Sequence, residues 1–240
     1  MPAAFIASAA VTYSSDPTSG ATLLTALVPT ATQEGDTLLF AVPSISSKNG
    51  DLDVTHLPPG WVIVARFVSP GSAIINIARR TATDLEPPAH TMQLKSAVTA
   101  GGALLVYRGL DVGAAAPLGG GIVDVSSSAN FDCPSLVLTS YSDLYLGFAF
   151  VASTSVQVTS PAGTVERFQA AQFPLDIPLR FEIFELLREA TGATGTQTAV
   201  AAFSVIGLAA SVLLKSTPPH VAPSITPDIP GALGFVTVGV

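Results

Sequence analysis

Short apolar runs bounded by Gly, Pro, Ser or Asp recur along the whole chain, and no long window lacks β-branched residues. Such punctuation predicts many short antiparallel strands and little helix. Strands are predicted at residues 5–13, 23–28, 37–42, 61–67, 73–80, 91–95, 103–107, 121–125, 136–139, 144–152, 164–169, 180–187, 198–204 and 208–215. Several alternate in the period of a half-buried strand. In Phe181-Glu182-Ile183-Phe184-Glu185-Leu186 the pattern predicts acidic residues facing water and apolar ones facing in. Glu182 and Glu185, three apart, also fit a short helix, and the alternation favours the strand.

The pattern repeats. Gly35-Asp36 before the apolar run 37–42 resembles Ser142-Asp143 before the run from Leu144. Pro59-Gly60-Trp61-Val62 resembles Ala162-Gly163-Thr164-Val165, the run ending Arg79-Arg80 resembles the one containing Arg188, and Leu104-Leu105-Val106-Tyr107 resembles Val212-Leu213-Leu214. Aligning Asp36 with Asp143, Gly60 with Gly163, Arg79 with Arg188 and Leu105 with Leu213 places the four blocks at offsets of 107, 103, 109 and 108 residues. A period this long is a duplicated multi-stranded half, not a solenoid unit. The expected fold is therefore all-β: one antiparallel β-sandwich of jelly-roll type over residues 1–215, with pseudo-repeat halves at about 35–110 and 142–215.

Residues 216–240 differ in character. Pro218, Pro219, Pro223, Pro227 and Pro230 recur at short intervals, which predicts an extended arm without internal hydrogen bonds. It ends in the strand-like Leu233-Gly234-Phe235-Val236-Thr237-Val238. Such an arm either folds back on its own domain or adds a strand to a neighbouring subunit, and a free apolar strand needs some edge to cover it. The partner-binding candidates are Pro218, Pro219, Ile225, Ile229, Leu233, Phe235, Val236 and Val238.

Composition narrows the function. Hydrophobic residues make up 48% of the 240 and charged residues 11%, about half the usual charged share. Sparse charge suits a surface packed against neighbours. The formal net charge is −7 and no basic cluster exceeds Arg79-Arg80, which argues against nucleic acid and anionic membranes as partners. The uncharged stretch 190–214 begins with turn-like polar residues, leaving too few apolar ones for a spanning helix, and no basic region marks a secretory signal. The single Cys133 excludes an intramolecular disulfide and reads as a buried small hydrophobe.

Catalytic patterns are not apparent. His56, His90 and His220 lie in Pro-rich loops or the tail, without a metal-ligand neighbour at the right spacing. There is no Gly-x-Ser-x-Gly elbow. Neither Glu34, Asp36 and Asp143 nor Asp84, Glu86, Glu166 and Glu189 stand out as a glycosidase pair. Asn49-Gly50-Asp51-Leu52-Asp53 lacks the rest of a calcium loop, and Gly119-Gly120-Gly121 reads as a connection. No catalytic set, cofactor or metal is expected. Trp61, opening a strand after the Pro59-Gly60 turn, is either a core anchor or an exposed platform for sugar stacking; Tyr107 is the other stacking candidate.

Gly35-Asp36-Thr37-Leu38-Leu39, Pro59-Gly60-Trp61, the run 73–82 and above all Tyr107-Arg108-Gly109-Leu110-Asp111 together resemble a group of tailed-bacteriophage virion proteins. Pro161-Ala162-Gly163-Thr164-Val165-Glu166-Arg167 and Ala190-Thr191-Gly192 continue the likeness, which spans residues 35–215. The resemblance implies a β-sandwich of the phage particle, in a capsid-surface decoration or cement role or in a tail or head appendage. Its expected partners are copies of itself, a trimer among the options, and other virion proteins. The alternative is a carbohydrate- or receptor-binding module of a tail fibre. Thr164 stands where Trp61 stands in the first half, so a duplicated aromatic site is not expected.

Overall fold

The computed structural model describes residues 3–15, 22–45, 53–69, 73–96, 98–110, 119–140, 143–153, 155–172, 179–186 and 191–214. Among these the chain is all-β and every strand pairing is antiparallel. The first half comprises β1 (Ala4–Ser15), β2 (Thr22–Leu27), β3 (Thr37–Ile45), β4 (Val54–His56), β5 (Val62–Val68), β6 (Ala73–Thr81), β7 (Ala89–Leu94), β8 (Thr99–Ala100) and β9 (Ala103–Arg108). The second comprises β10 (Gly119–Cys133), β11 (Val137–Leu138), β12 (Leu144–Val151), β13 (Val158–Thr159), β14 (Thr164–Gln172), β15 (Leu179–Leu186), β16 (Gly192–Ala193) and β17 (Gln197–Leu214). Residues 190–214, where two strands were expected after a turn, carry β16 and the single long β17.

The duplication is written in the strand order. The first half contains the path β1-β9-β3-β6-β5, and the second contains β10-β17-β12-β15-β14. A smaller pair accompanies each, β2 with β7 and β11 with β16. Cross-strand partners fix residue-level counterparts: Leu39 faces Arg79 and Leu105, while Leu146 faces Glu185 and Val212. Asp36 therefore matches Asp143 and Gly60 matches Gly163, as expected from the sequence. The third and fourth blocks are corrected. Arg79 corresponds to Glu185, not Arg188, and Leu105 to Val212. The sequence alignment slid because runs of small and aliphatic residues look alike when shifted by a few places.

The turns that launch equivalent strands are also alike. Asp36 Oδ2 accepts the Gln33 N–H at 2.8 Å and Asp143 Oδ2 accepts the Ser140 N–H at 2.9 Å, so at the same place in each half a carboxylate reaches back three residues to close the turn before the strand. Gly60 and Gly163 have φ of 82° and 81°, a region that glycine enters without a Cβ penalty. Both edge strands carry a bulge at equivalent points, Val64 in β5 and Arg167 in β14.

Three apolar layers result. Alternate residues of the two five-stranded sheets, Leu39, Ile75, Ile77 and Leu105 from one and Leu146, Phe148, Phe181, Ile183 and Val212 from the other, meet in one shared layer. The opposite face of the first sheet packs Leu38, Phe40, Ile74 and Val106 against Leu24 and Met92 of β2 and β7. The opposite face of the second packs Tyr145, Phe184 and Leu213 against Phe131, Val158 and Ala199. The inner strands are thus covered on both faces, and all eight residues of β12 are buried. This overturns the expected orientation of the acidic residues of β15. The strand is present, but Glu182 and Glu185 are only 0% and 5% exposed: three residues apart, they point to opposite faces, Glu185 into the shared layer and Glu182 under the second half's own cover.

Candidate functional site

Burial of charge is expensive unless it is hydrogen-bonded, so buried polar groups are the natural places to look for function. Three clusters stand out. The first lies between the halves. Glu185 Oε2, on the shared face of β15, accepts Arg167 Nε at 2.7 Å and the Tyr107 hydroxyl at 3.1 Å. The Arg167 guanidinium also covers the Phe5 ring at 4.6 Å. Burial, and then the charge of Glu185, raise the Tyr107 phenol far above its ordinary value. This is a structural clamp joining β9 and β1 to β14 and β15.

The second cluster faces the second half's own layer. Glu182 accepts Gln169 Nε2 at 3.0 Å and the Ser160 hydroxyl. Burial pushes its carboxyl up to about 7, against the pull of those two donors. Nearby Cys133 is buried, its thiol pushed up to about 12 by burial and directed at the Phe148 carbonyl 3.4 Å away. A thiol held protonated in this way is packing, not a nucleophile.

The third is a cleft of about 440 Å³ at the end of the β5–β6 pair, lined by Pro59, Gly60, Val62, Arg79, Arg80, Thr81 and Thr83. Its floor is built by the Pro59-Gly60 turn, closed by Trp61 N–H donating to the Pro58 carbonyl at 3.2 Å. The turn drives Trp61 inward, where its ring meets Phe40 and His90 edge-on at 5.8 and 5.1 Å. Arg80 Nη1 donates to the Pro59 carbonyl, and Arg80 Nε stands 3.1 Å from Glu86 Oε1. Glu86 further accepts the Thr83 N–H at 2.8 Å and His90 Nε2 at 2.6 Å. Burial raises the Glu86 carboxyl, but the Thr83 N–H, His90 and Arg80 outweigh it and hold the group below its usual value. Burial lowers His90 more than Glu86 restores it, so the ring is neutral at pH 7 and Nε2–H is the donor. Arg79 differs in having no acid beside it among the described residues; its Nε, like that of Arg80, is buried without a hydrogen-bond acceptor. The cleft offers one arginine engaged by an acid and a second without one.

The aromatic candidates from the sequence do not line an open surface. Trp61 is 5% exposed and belongs to the first half's core, and Tyr107 is fully buried in the shared layer. Buried rings present no face for a sugar to stack on, so Trp61 is the core anchor of its two readings and the stacking role is corrected for both residues. Pro218, Pro219, Ile225, Ile229, Leu233, Phe235, Val236 and Val238 lie outside the described residues. Of the oxygen-rich loop only Asp53 is described, and it is engaged by Arg66 at 2.7 Å. Among the described residues no three His, Cys, Asp or Glu side chains are placed to hold a metal ion. Sequence reasoning noticed Arg79-Arg80 only as a basic pair and gave Glu86 no context. The available signal was two arginines ending an otherwise apolar strand.

Comparison with protein families, curated proteins and solved structures finds no match for the chain.

Proposed function

We propose that this chain is a structural protein of a tailed-bacteriophage particle, sitting on the capsid surface as a decoration or cement protein, or in an appendage. The observation that carries the reading is the doubled sheet with its shared apolar layer. It is a rigid body in which two of the three buried ionisable clusters hold strands together. We read the order β1-β9-β3-β6 beside β2-β7-β4 as a jelly-roll-like wrapping, an architecture common in viral capsids. That support is at the level of fold analogy. The sequence resemblance over residues 35–215 points the same way. Exposed Phe203 and Ile206 on β17, and Val62 and Val68 on β5, supply apolar contact for neighbouring copies or other virion proteins. In this reading residues 216–240 are the attachment arm. Purified particles should contain the chain in symmetric copies, and a chain truncated after residue 215 should stay folded but fail to bind particles. Normal binding by the truncated chain removes the arm from the mechanism; absence of the full chain from particles removes the proposal.

A second reading, a carbohydrate- or receptor-binding module of a tail fibre, is favoured by one observation: the cleft beside Arg79, whose volume lies in the range of small-ligand sites.

A further inference from the structure

The register of the duplication gives each residue of one sheet a counterpart in the other, and at one position the chemistry does not carry over. Glu185 corresponds to Arg79, and the two residues that satisfy Glu185, Arg167 and Tyr107, correspond to Val64 and Leu214. Neither Val64 nor Leu214 has a side-chain atom that can accept a hydrogen bond. Where the second half encloses a charge with its partners, the first half holds a guanidinium whose Nε is buried and lacks an acceptor. The half-buried guanidinium that lines the cleft has no carboxylate to engage it, and a ligand acceptor entering the cleft can supply one.

We infer that the cleft beside Arg79 binds the carboxylate of an acidic sugar, with Arg79 as its anchor. The charge of the site selects the class. Arg80 is already matched by Glu86, which leaves one cation in excess. A monoanionic carboxylate balances it, and the planar fork of arginine fits that group in a bidentate pair. A phosphate dianion would bring one more negative charge toward the Glu86 carboxylate, which Thr83 and Arg80 hold beside the cleft. The rest of the wall suits a ring with one polar and one apolar face. Thr81 and Thr83 bring hydroxyls, while Val62, 49% exposed, offers an aliphatic surface. The sugar identity rests on the second functional reading above; the carboxylate anchor does not.

The test is a titration of the full chain with D-glucuronate, followed by ligand-observed NMR and by the Arg79 Nε–H resonance. Glucose, acetate and inorganic phosphate serve as comparison ligands. Glucuronate is expected to bind, to shift the Arg79 Nε–H signal, to weaken with rising salt, and to bind at least about tenfold more tightly than glucose, acetate or phosphate. Arg79→Gln should abolish the preference of glucuronate over glucose, and Thr81→Val, at an exposed position, should weaken glucuronate a few-fold in a fully folded chain. Absence of glucuronate binding, an unmoved Arg79 signal or unchanged affinity in Arg79→Gln overturns the site. Acetate binding as tightly as glucuronate overturns the sugar class and with it the second reading. Phosphate binding more tightly than either carboxylate overturns the charge argument.

Discussion

Strands β1–β9 and β10–β17 share one order of pairing and complete their outer faces differently. In the first half β1 leaves β9 at Ala10, turns to β2 at Val11, and so brings β2, β7 and β4 over Leu38 and Phe40. In the second half β10 stays with β17 as far as Cys133 and Gln197. Its cover is then the far end of that ribbon, β13 and the short β11–β16 ladder. The sheets that face each other keep their order, while the outer covers diverge. Each half constrains the other across the shared layer, whereas an outer cover answers only to its own sheet.

The same contrast appears at single residues. Phe40 faces Ala78 across β3 and β6, and their counterparts Gly147 and Phe184 face each other across β12 and β15. The large and small members have changed strands, and each layer stays filled. Asn76 and Glu182 are counterparts too, both buried and polar, but only the second titrates. Arg79 and Glu185 are counterparts of opposite charge.

The largest break in the comparison should come from the layer common to both halves. Phe148→Ala removes a buried ring there, and equilibrium denaturation should show a loss of about 3–5 kcal/mol, felt by both halves in one transition. Next comes the clamp. Glu185→Ala leaves the partly exposed Arg167 without its acid and should cost about 2 kcal/mol, below the value for a fully enclosed pair. Arg79→Ala at the counterpart position should cause no loss, leaving stability unchanged or raised, because it removes a donor that the fold leaves unsatisfied. Equal losses at the two sites would refute the asymmetry. Gly147→Ala places a Cβ against the Phe184 ring and should cost about 1–3 kcal/mol. In a Phe184→Ala background the same change should cost almost nothing, a coupling that a double-mutant cycle measures directly.

The smallest effect is one of pH. The Glu182 carboxyl titrates at about 7 in the folded chain, above its ordinary value of 4.5. Between those values the folded state holds a proton that the unfolded state has released, so this group's contribution to stability falls as pH rises through the window. Thermal melts should show Glu182→Gln stabilising the chain at about pH 8, by on the order of 1 kcal/mol, and leaving it unchanged at about pH 4. Asn76→Asp in the other half should import a pH dependence of the same sign.

Much of this was legible before the structure. Asp36 and Asp143, and the Gly60 and Gly163 turns, mark the repeat because a carboxylate that closes a turn and a positive φ each demand particular residues. The middle of each strand gave less: Arg79 was matched to Arg188 because like charge was taken for like position. The burial of Glu182 was not legible for a physical reason. Alternation along a strand reports one covered face, and here the second cover is supplied by residues far away in sequence. Trp61 and Tyr107 illustrate the same limit, since an aromatic residue on a strand reads alike whether its ring meets water or another sheet. The cleft depended on Arg79 lacking what Glu185 has, a difference visible only once the two registers are laid side by side.

The central claim is that two sheets of the same order fold as one unit because neither can bury its inner face alone. Differential scanning calorimetry of the full chain tests it directly. One transition, with calorimetric and van't Hoff enthalpies equal, is the predicted result. Two resolved transitions, or a calorimetric enthalpy well above the van't Hoff value, would show halves that melt independently and would contradict it.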